Sequence, residues 1–319
     1  MLSPRRYRHS RSVNPPDRAP QTKDPHLKKP AQPKPPPTVP LRTERDPVTW
    51  QGKLHRKPWH YTITAAIPCL DHARETAAVI ELLRLQTCRP YIILVDTGST
   101  PRELAKLEAL RADDVELHLI RRNGMQHHCD AIAAALDLTF SLADTPYVYC
   151  THQDCFARSR HLLQHLMDNI HGLAAIGYRL SPRAYAGWEA HFGHTCTLFS
   201  VAEWDRIGIT WSLRRAASLI GQGRPANEAV TKYQIDTEAA VNVLLQRAAA
   251  KTSFIGTEGN FIRTKDDFID HPRSVICTKL YFPDQYPGRR ADCDLALAEA
   301  HERIRLWRSS GPADPHLTP

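Results

Sequence analysis

YVYCTHQDC, residues 147 to 155, is an apolar β-forming run that ends in a polar tip, His152-Gln153-Asp154. Side chains alternate along an extended chain, so His152 and Asp154 are expected on one side and Gln153 on the other. Two metal-capable groups on one side of a strand end suit a divalent cation. The competing reading is a His and an Asp that are ordinary solvated loop residues. What precedes the tip decides how much weight it carries.

Upstream, short β-rich runs alternate with amphipathic helical ones, the pattern of a largely parallel α/β sheet flanked by helices. Tyr61 to Ile67 is expected to be a strand closed by Pro68, which has no N–H to give to a ladder. Ala73 to Gln86 follows, with Val79, Leu82, Leu83 and Gln86 at helical spacing. Tyr91 to Val95 is a fully apolar strand that stops at Asp96-Thr97-Gly98-Ser99-Thr100. From this polar turn Pro101 and Glu103 open a helix over Arg102 to Leu110. Val115 to Ile120 makes a third strand, Arg121 to Met125 a polar turn holding Asn123 and Gly124, and His127 to Leu142 a helix. Tyr147 to Thr151 is the fourth strand.

Beyond the tip, Ser159 to Ile170 is expected to be helical and Ala174 to Tyr178 a strand. Ile235 to Ala250 is expected to be a helix with Ala239, Val243 and Leu244 on its buried stripe. Ala291 to Trp307 reads as an amphipathic C-terminal helix, and nothing in it chooses between packing on the domain and packing on a second chain. In open α/β sheets ligands gather beyond the carboxyl ends of the strands. Pro68, Asp96, Asn123, Gly124, His152 and Asp154 all fall at such ends. No G-x-G-x-x-G follows the first strand and no G-x-x-x-x-G-K-[ST] occurs, which argues against a dinucleotide fold and against a P-loop.

Composition divides the chain into an arm and a body. Residues 1 to 58 hold 13 of the 25 prolines and 14 Lys+Arg against 4 Asp+Glu, so the overall charge of +8 belongs to this stretch and the remainder is slightly acidic. A basic, Pro-rich segment such as KKPAQPKPPPTVP buries too little apolar surface to offset ordering entropy and is expected to be a disordered or PPII-like arm. Weak association with an anionic membrane is one use for it, and a solubilising arm another. Residues 59 to 290 are expected to form the catalytic domain, and 291 to 319 a C-terminal helix and tail. A basic nucleic-acid binder is disfavoured because the body is acidic. No apolar run is long enough to span a bilayer and no secretory h-region is present, so a cytoplasmic location is expected. The eight cysteines include no C-x-x-C pair and are read as reduced, packed thiols.

Taken in order, IPCLDHARE, YIILVDTGST, RRNGMQHHCDAIAAAL and YVYCTHQD resemble the GT-A glycosyltransferases of the family 2 type. In that family a strand ending in Pro, a D-x-x-S turn, an N-G segment before a helix and a strand ending in D-x-D follow one another. The resemblance covers roughly Tyr61 to Ile176, and more loosely to about His271. The D-x-D is H-x-D here, similar to a glycosyltransferase-like subgroup with an HQD tip. The resemblance implies a GT-A-type fold and a nucleotide-sugar donor contacted by Pro68, Asp96, Asn123, Gly124 and His152. It also implies Mg²⁺ or Mn²⁺ on Asp154, with His152 and the late His271 as further ligands. Imidazole suits Mn²⁺ better than Mg²⁺, so His152 either favours the softer metal or contacts phosphate or sugar directly.

The alternative role for Asp96 is to cap the following helix. Inverting transfer needs a base near the acceptor hydroxyl. The family keeps an acidic residue near the start of a late helix, and D-T-E offers Asp236 for the base, with Glu238 two residues on. The alternative for Asp236 is a helix-start acid. GWEAHFGHTCTLF resembles the acceptor-side region, which puts Trp188 and His194 there. Trp188 and Trp211 are candidates to stack on sugar or lipid, against the commoner core role of an aromatic.

The expected activity is transfer of a sugar from a nucleotide-diphosphate donor to a glycan, lipid or protein acceptor. A nucleotidyltransferase is the second enzyme class, but IPCLDHARE lacks its Gly-rich basic loop. A catalytically inactive sugar-nucleotide-binding module is the third possibility.

Overall fold

The first four β-rich runs become four parallel neighbours. In the computed structural model the residues described are 61–120, 128–180, 191–220, 237–257, 269–270 and 289–311, all within the unit Arg56–Pro319. The strands are β1 (Ile63–Cys69), β2 (Tyr91–Asp96), β3 (Val115–Leu119), β4 (Tyr147–Cys150), β5 (Phe156–Ala157), β6 (Ala175–Leu180), β7 (His191–Ser200), β8 (Thr252–Thr257) and β9 (Ile269–Asp270). The helices are α1 (Ala73–Arg84), α2 (Pro101–Glu108), α3 (His128–Leu142), α4 (Leu162–Asn169), α5 (Val201–Ile207), α6 (Leu213–Ile220), α7 (Ala239–Arg247) and α8 (Arg289–Ser309).

Seven strands form one mixed sheet in the order β3-β2-β1-β4-β7-β6-β8, while β5 and β9 form a separate antiparallel pair. Only β7 runs against the other six. The expected class, a mostly parallel sheet flanked by helices, is therefore what the chain forms.

Alternation along β1 explains the layers. Ile63, Ala65 and Ile67 enter one apolar cluster with α1, α2, α4 and α8, whereas Ala66 enters another with α3, α5 and α7. A strand covered on both faces reads as continuously apolar, and every residue of β1 and of β2 is buried. Pro68 lies inside β1, one residue short of its end, rather than beyond it. It is tolerated because the β1–β4 ladder has already ended at Ala66–Cys150, with a last bond from the Thr151 N–H to the Ala66 carbonyl.

The C-terminal helix packs on the domain. Cys293, Ala296, Leu297, Ala300 and Ile304 form its buried stripe, and Arg74–Asp294, Arg290–Glu75 and Arg308–Glu81 tie it to α1. Trp211 is fully buried in an aromatic group with Phe199 and Trp204, the core role. Among the described residues the cysteines are free thiols, all buried except the half-buried Cys88. No helix among them is long and apolar enough to cross a membrane.

The end of α1 is held to the start of β3 by charge. The Asp114 carboxylate accepts from Arg84 through both oxygens, at 2.9 and 2.6 Å, and from Arg89 at 2.5 Å. Burial pushes this carboxyl up, but the two guanidinium groups outweigh it and hold it at about 2. A carboxylate with a depressed folded value contributes stability that is fully present above the unfolded value of about 4 and is lost as pH falls through the folded one. Asp114→Asn should therefore lower the urea midpoint at neutral pH, and its deficit against wild type should shrink as the pH is taken from about 4 toward 2. Equal midpoints at neutral pH would contradict this.

Candidate active site at the strand tips

Three loops meet at the carboxyl ends of β1, β2 and β4, and side-chain hydrogen bonds tie the β1 loop to each of the other two. Gln153 lies in a turn closed by the Cys155 N–H on the His152 carbonyl. Its buried carboxamide accepts from the Leu70 N–H at 2.8 Å and donates to the Leu70 carbonyl at 3.1 Å. It thus prolongs the pairing of β1 with β4 past the point where the backbones part. After Leu70 the chain takes two consecutive left-handed residues, Asp71 at φ 54° and His72 at φ 55°, an uncommon conformation for residues with a Cβ. It persists because it is over-determined. The Asp71 N–H donates to Ser99 Oγ, the Asp71 carboxylate accepts from the Thr100 N–H and hydroxyl, and the Ala73 N–H donates to Glu103.

Asp96 closes its own loop. Its carboxylate accepts from the Gly98 N–H at 3.0 Å, the Ser99 N–H at 3.2 Å and the Ser99 hydroxyl. It does not cap α2: the N-cap position is Thr100, whose side chain makes no cap bond. Pro68 is buried in β1.

The extended course expected through Asp154 gives way to the turn at Gln153–Asp154. His152 and Asp154 nonetheless stay together, with Nδ1 3.8 Å from a carboxylate oxygen. The His152 side chain is 24% exposed and that of Asp154 5%. Asp154 also faces the first turn of α8. There burial, and next the Asp154 carboxylate, push the Cys293 thiol up to about 12.

The far wall is a bulge. Thr197 of β7 pairs with Gly177 of β6, but the next partners are Phe192 and Arg179, so β7 spends five residues where β6 spends two. Bulges of this kind turn side chains out of the ladder near sites. Here the bulge includes His194, Thr195 and Cys196, the last at φ 52°. Gly177 permits the close approach, since a Cβ there would fall 2.4 Å from Thr197 Oγ1 and 2.8 Å from the Cys196 carbonyl. Thr195 Oγ1 lies 3.3 Å from His152 Nε2, the His194 ring meets the His152 ring with centroids 4.1 Å apart and planes tilted by 37°, and His194 Nδ1 is 3.4 Å from Glu238. Asn242 of α7 fixes the start of β7 as Gln153 fixes β1, accepting from the Phe192 N–H and donating to its carbonyl, both at 2.8 Å.

His152, Asp154, His194 and Glu238 are thus brought into one group beside the tips carrying Asp96 and Pro68. Asn123, Gly124, Trp188, Asp236 and His271 lie outside the described residues. Among the described residues, no three His, Cys, Asp or Glu side chains converge as a metal site. Of the three expected metal ligands, His152 and Asp154 are adjacent and chemically suited to share a cation. Gln153, Asn242 and Gly177 were not singled out from sequence. A glutamine inside a metal-like tripeptide and an asparagine inside an apolar helix carry no local mark of a backbone clamp.

No protein-family model matches the chain, and no curated protein matches it. Solved structures with a similar arrangement include the mannosyltransferase PcManGT from Pyrobaculum calidifontis in complex with GDP-Man and Mn²⁺ (13% identity, 78% of this chain and 68% of that one, TM-score 0.40). They also include galactosyltransferase LgtC with donor and acceptor sugar analogs (13%, 80% and 98%, TM-score 0.43). A third is glucosyl-3-phosphoglycerate synthase from Mycobacterium tuberculosis with UDP (12%, 65% and 74%, TM-score 0.38).

Removing the Gln153 clamp should be costly, because Gln153→Leu keeps the bulk and strands a buried N–H and a buried carbonyl at about 1–3 kcal/mol each. A loss of roughly 2–6 kcal/mol in unfolding free energy from urea denaturation is expected. A variant as stable as wild type would show that the clamp contributes nothing.

Proposed function

We propose that the protein is a GT-A type glycosyltransferase that moves a sugar from a nucleotide-diphosphate donor to a hydroxyl of a glycan, lipid or protein acceptor, with inversion. The observation that carries this reading is the grouping of His152, Asp154, His194 and Glu238 beside the Asp96 loop at one edge of a mostly parallel sheet. Ligands of open α/β proteins collect at that edge.

The donor's nucleoside lies along the tips of β1 and β2, against Pro68 and the Asp96 loop, and Asn123 and Gly124 are further donor contacts in this reading. The Asp96 carboxylate has lone-pair capacity beyond its loop bonds and can accept a ribose or base donor. β2 and β4 flank β1, so their tips are about 10 Å apart at the usual strand spacing. The diphosphate then reaches the His152-Gln153-Asp154 tip. Asp154 and His152, with His271, would hold Mg²⁺ or Mn²⁺, which when bound neutralises charge developing on the leaving diphosphate.

On the acceptor side, His194 and Glu238 bound the space for the incoming hydroxyl, and Trp188 is a further acceptor contact in this reading. Asp236 takes its proton as the sugar–phosphate bond breaks and the new glycosidic bond forms on the opposite face. The Gln153 clamp keeps the tip in place while charge moves through it.

Asp154→Asn is isosteric and removes one negative charge. It should abolish release of UDP or GDP from UDP-glucose, UDP-galactose or GDP-mannose, whichever wild type consumes, and leave the unfolding free energy from urea denaturation within about 1 kcal/mol of wild type. Full turnover by the variant would remove Asp154 from the chemistry.

A further inference from the structure

Across α6, α7 and the turn after α7, residues 213–220 and 239–251, every charged side chain is a cation: Arg214, Arg215, Arg247 and Lys251. All four are exposed, and among the described residues none of them is in an ion pair. The two helices pack on each other, and Arg247 Nη2 donates to the Leu219 carbonyl at 3.1 Å. Arg215 precedes Leu219 by about one helical turn, so α7 adds a cation at the end of the short helix that already carries two. The other exposed side chains described on these segments, Ser218, Gln246 and Ala249, are uncharged.

Arg214 and Arg215 stand in the first turn of α6, which holds no acidic residue. The positive end of a helix dipole disfavours cations there, so the pair weakens its own helix. Elsewhere the chain covers a solvent face by interleaving signs, as Arg290 with Asp294 and Glu302 with Arg305 do along α8. Arg102 and Arg111 are exposed as well, but Glu103, Glu108 and Asp113 lie within that stretch. Asp137 of α3 comes to the start of α6, yet its oxygens accept from the Thr210 hydroxyl at 2.6 Å and the Trp211 N–H at 2.9 Å, both neutral donors. A face that is cationic at a cost to its helix, on a body whose sequence outside the arm is slightly acidic, calls for an anionic partner.

We infer that the α6–α7 face is a docking surface for a bilayer containing anionic lipids. None of the exposed side chains described there is aromatic, so the face has nothing on which a nucleic-acid base would stack. None is a large apolar anchor of the kind that seats a protein partner. A bilayer surface needs neither. It reads charge density, and each basic side chain near an anionic leaflet adds to the attraction within a Debye length. Guanidinium groups also match phosphodiester headgroups through paired N–H donors. The cations are spread over two helices and the turn before β8, rather than gathered into a pocket for one anion. The inference goes beyond the transferase reading and does not depend on it.

The test is co-sedimentation of the full chain at low salt with vesicles of phosphatidylcholine alone and of two parts phosphatidylcholine to one of phosphatidylserine. Wild type should bind the second and not the first. Arg214→Ala/Arg215→Ala should weaken that binding about 30-fold, from the usual contribution of one basic residue at an anionic leaflet taken twice. Arg102→Ala/Arg111→Ala removes the same charge from another surface and should change binding by less than about twofold. That comparison separates the face from net charge and from the arm. Both α6 arginines are exposed and their loss relieves the dipole, so the variant should be at least as stable as wild type in urea. Arg214→Gln/Arg215→Gln, which keeps polar side chains, takes its place should it fail to fold. Wild-type binding that is absent or equal on both vesicles, an unchanged affinity in the α6 variant, or an equal loss in both double variants overturns the inference. So does tighter binding of single-stranded DNA that the same α6 substitutions abolish, which would assign the face to nucleic acid. No readout here uses a nucleotide sugar, so the transferase reading stands or falls separately.

Discussion

The Gln153 carboxamide stands in for two residues of β-ladder. By taking the N–H and the carbonyl of Leu70 together, it carries the pairing of β1 and β4 beyond their last backbone bond. The rest of the edge follows from that constraint. With Leu70 held, Asp71 and His72 are forced into the left-handed turn that starts α1. Asp71 then reaches Ser99 and Thr100, and Glu103 of α2 reaches back to Ala73. Three loops that would otherwise be independent become one cross-linked rim. Asn242 repeats the device on β7, and a third buried amide, Gln86, does similar work away from the site, accepting from the Leu163 N–H and donating to the Ser159 carbonyl. Amides suit this task because they carry donor and acceptor at once and bring no charge into the interior.

Chemistry and stability are divided along the strands. The middle of β1, β2 and β4 is apolar and sealed on both faces, and the guanidinium pairs on Asp114 lock the end of the sheet away from the site. Titratable side chains collect where β4 ends and β7 bulges, at His152, Asp154 and His194. The bulge needs Gly177 opposite, so a residue with no functional group sets where His194 and Thr195 stand.

The β1-to-β4 half could be read in the sequence because each element there has its own period and punctuation. Apolar runs stop at Pro68, Asp96 and His152, and helices open at Pro101 or after a polar turn, so the observed bounds differ from the expected ones by only a few residues. The second half was harder for physical reasons. β7 contains Gly193 and a five-residue excursion, so His191 to Phe199 has no alternation to read, and its antiparallel course has no local signal. β8, at the sheet edge, carries Gly256 packed against the Tyr178 ring, and α5 and α6 are too short to show a period. In the site, the expected facing of Gln153 rested on an extended chain that a turn replaces at Gln153–Asp154, so the clamp on Leu70 had no local signal. The tilted ring contact of His152 with His194 joins residues 42 positions apart through that unread strand, and only the fold could bring it out.

The central claim is that this rim of pinned loops receives a nucleotide diphosphate. The measurement that tests it most directly is thermal unfolding of the full chain with UDP, GDP, UDP-glucose and GDP-mannose, each with and without Mn²⁺. A ligand that binds only the native state stabilises it by mass action, by about 2.7 kcal/mol at a hundred times its Kd, and so raises the midpoint. The account predicts a rise with one nucleotide class, larger when Mn²⁺ is present. Midpoints unchanged by every nucleotide, with or without the metal, would contradict it.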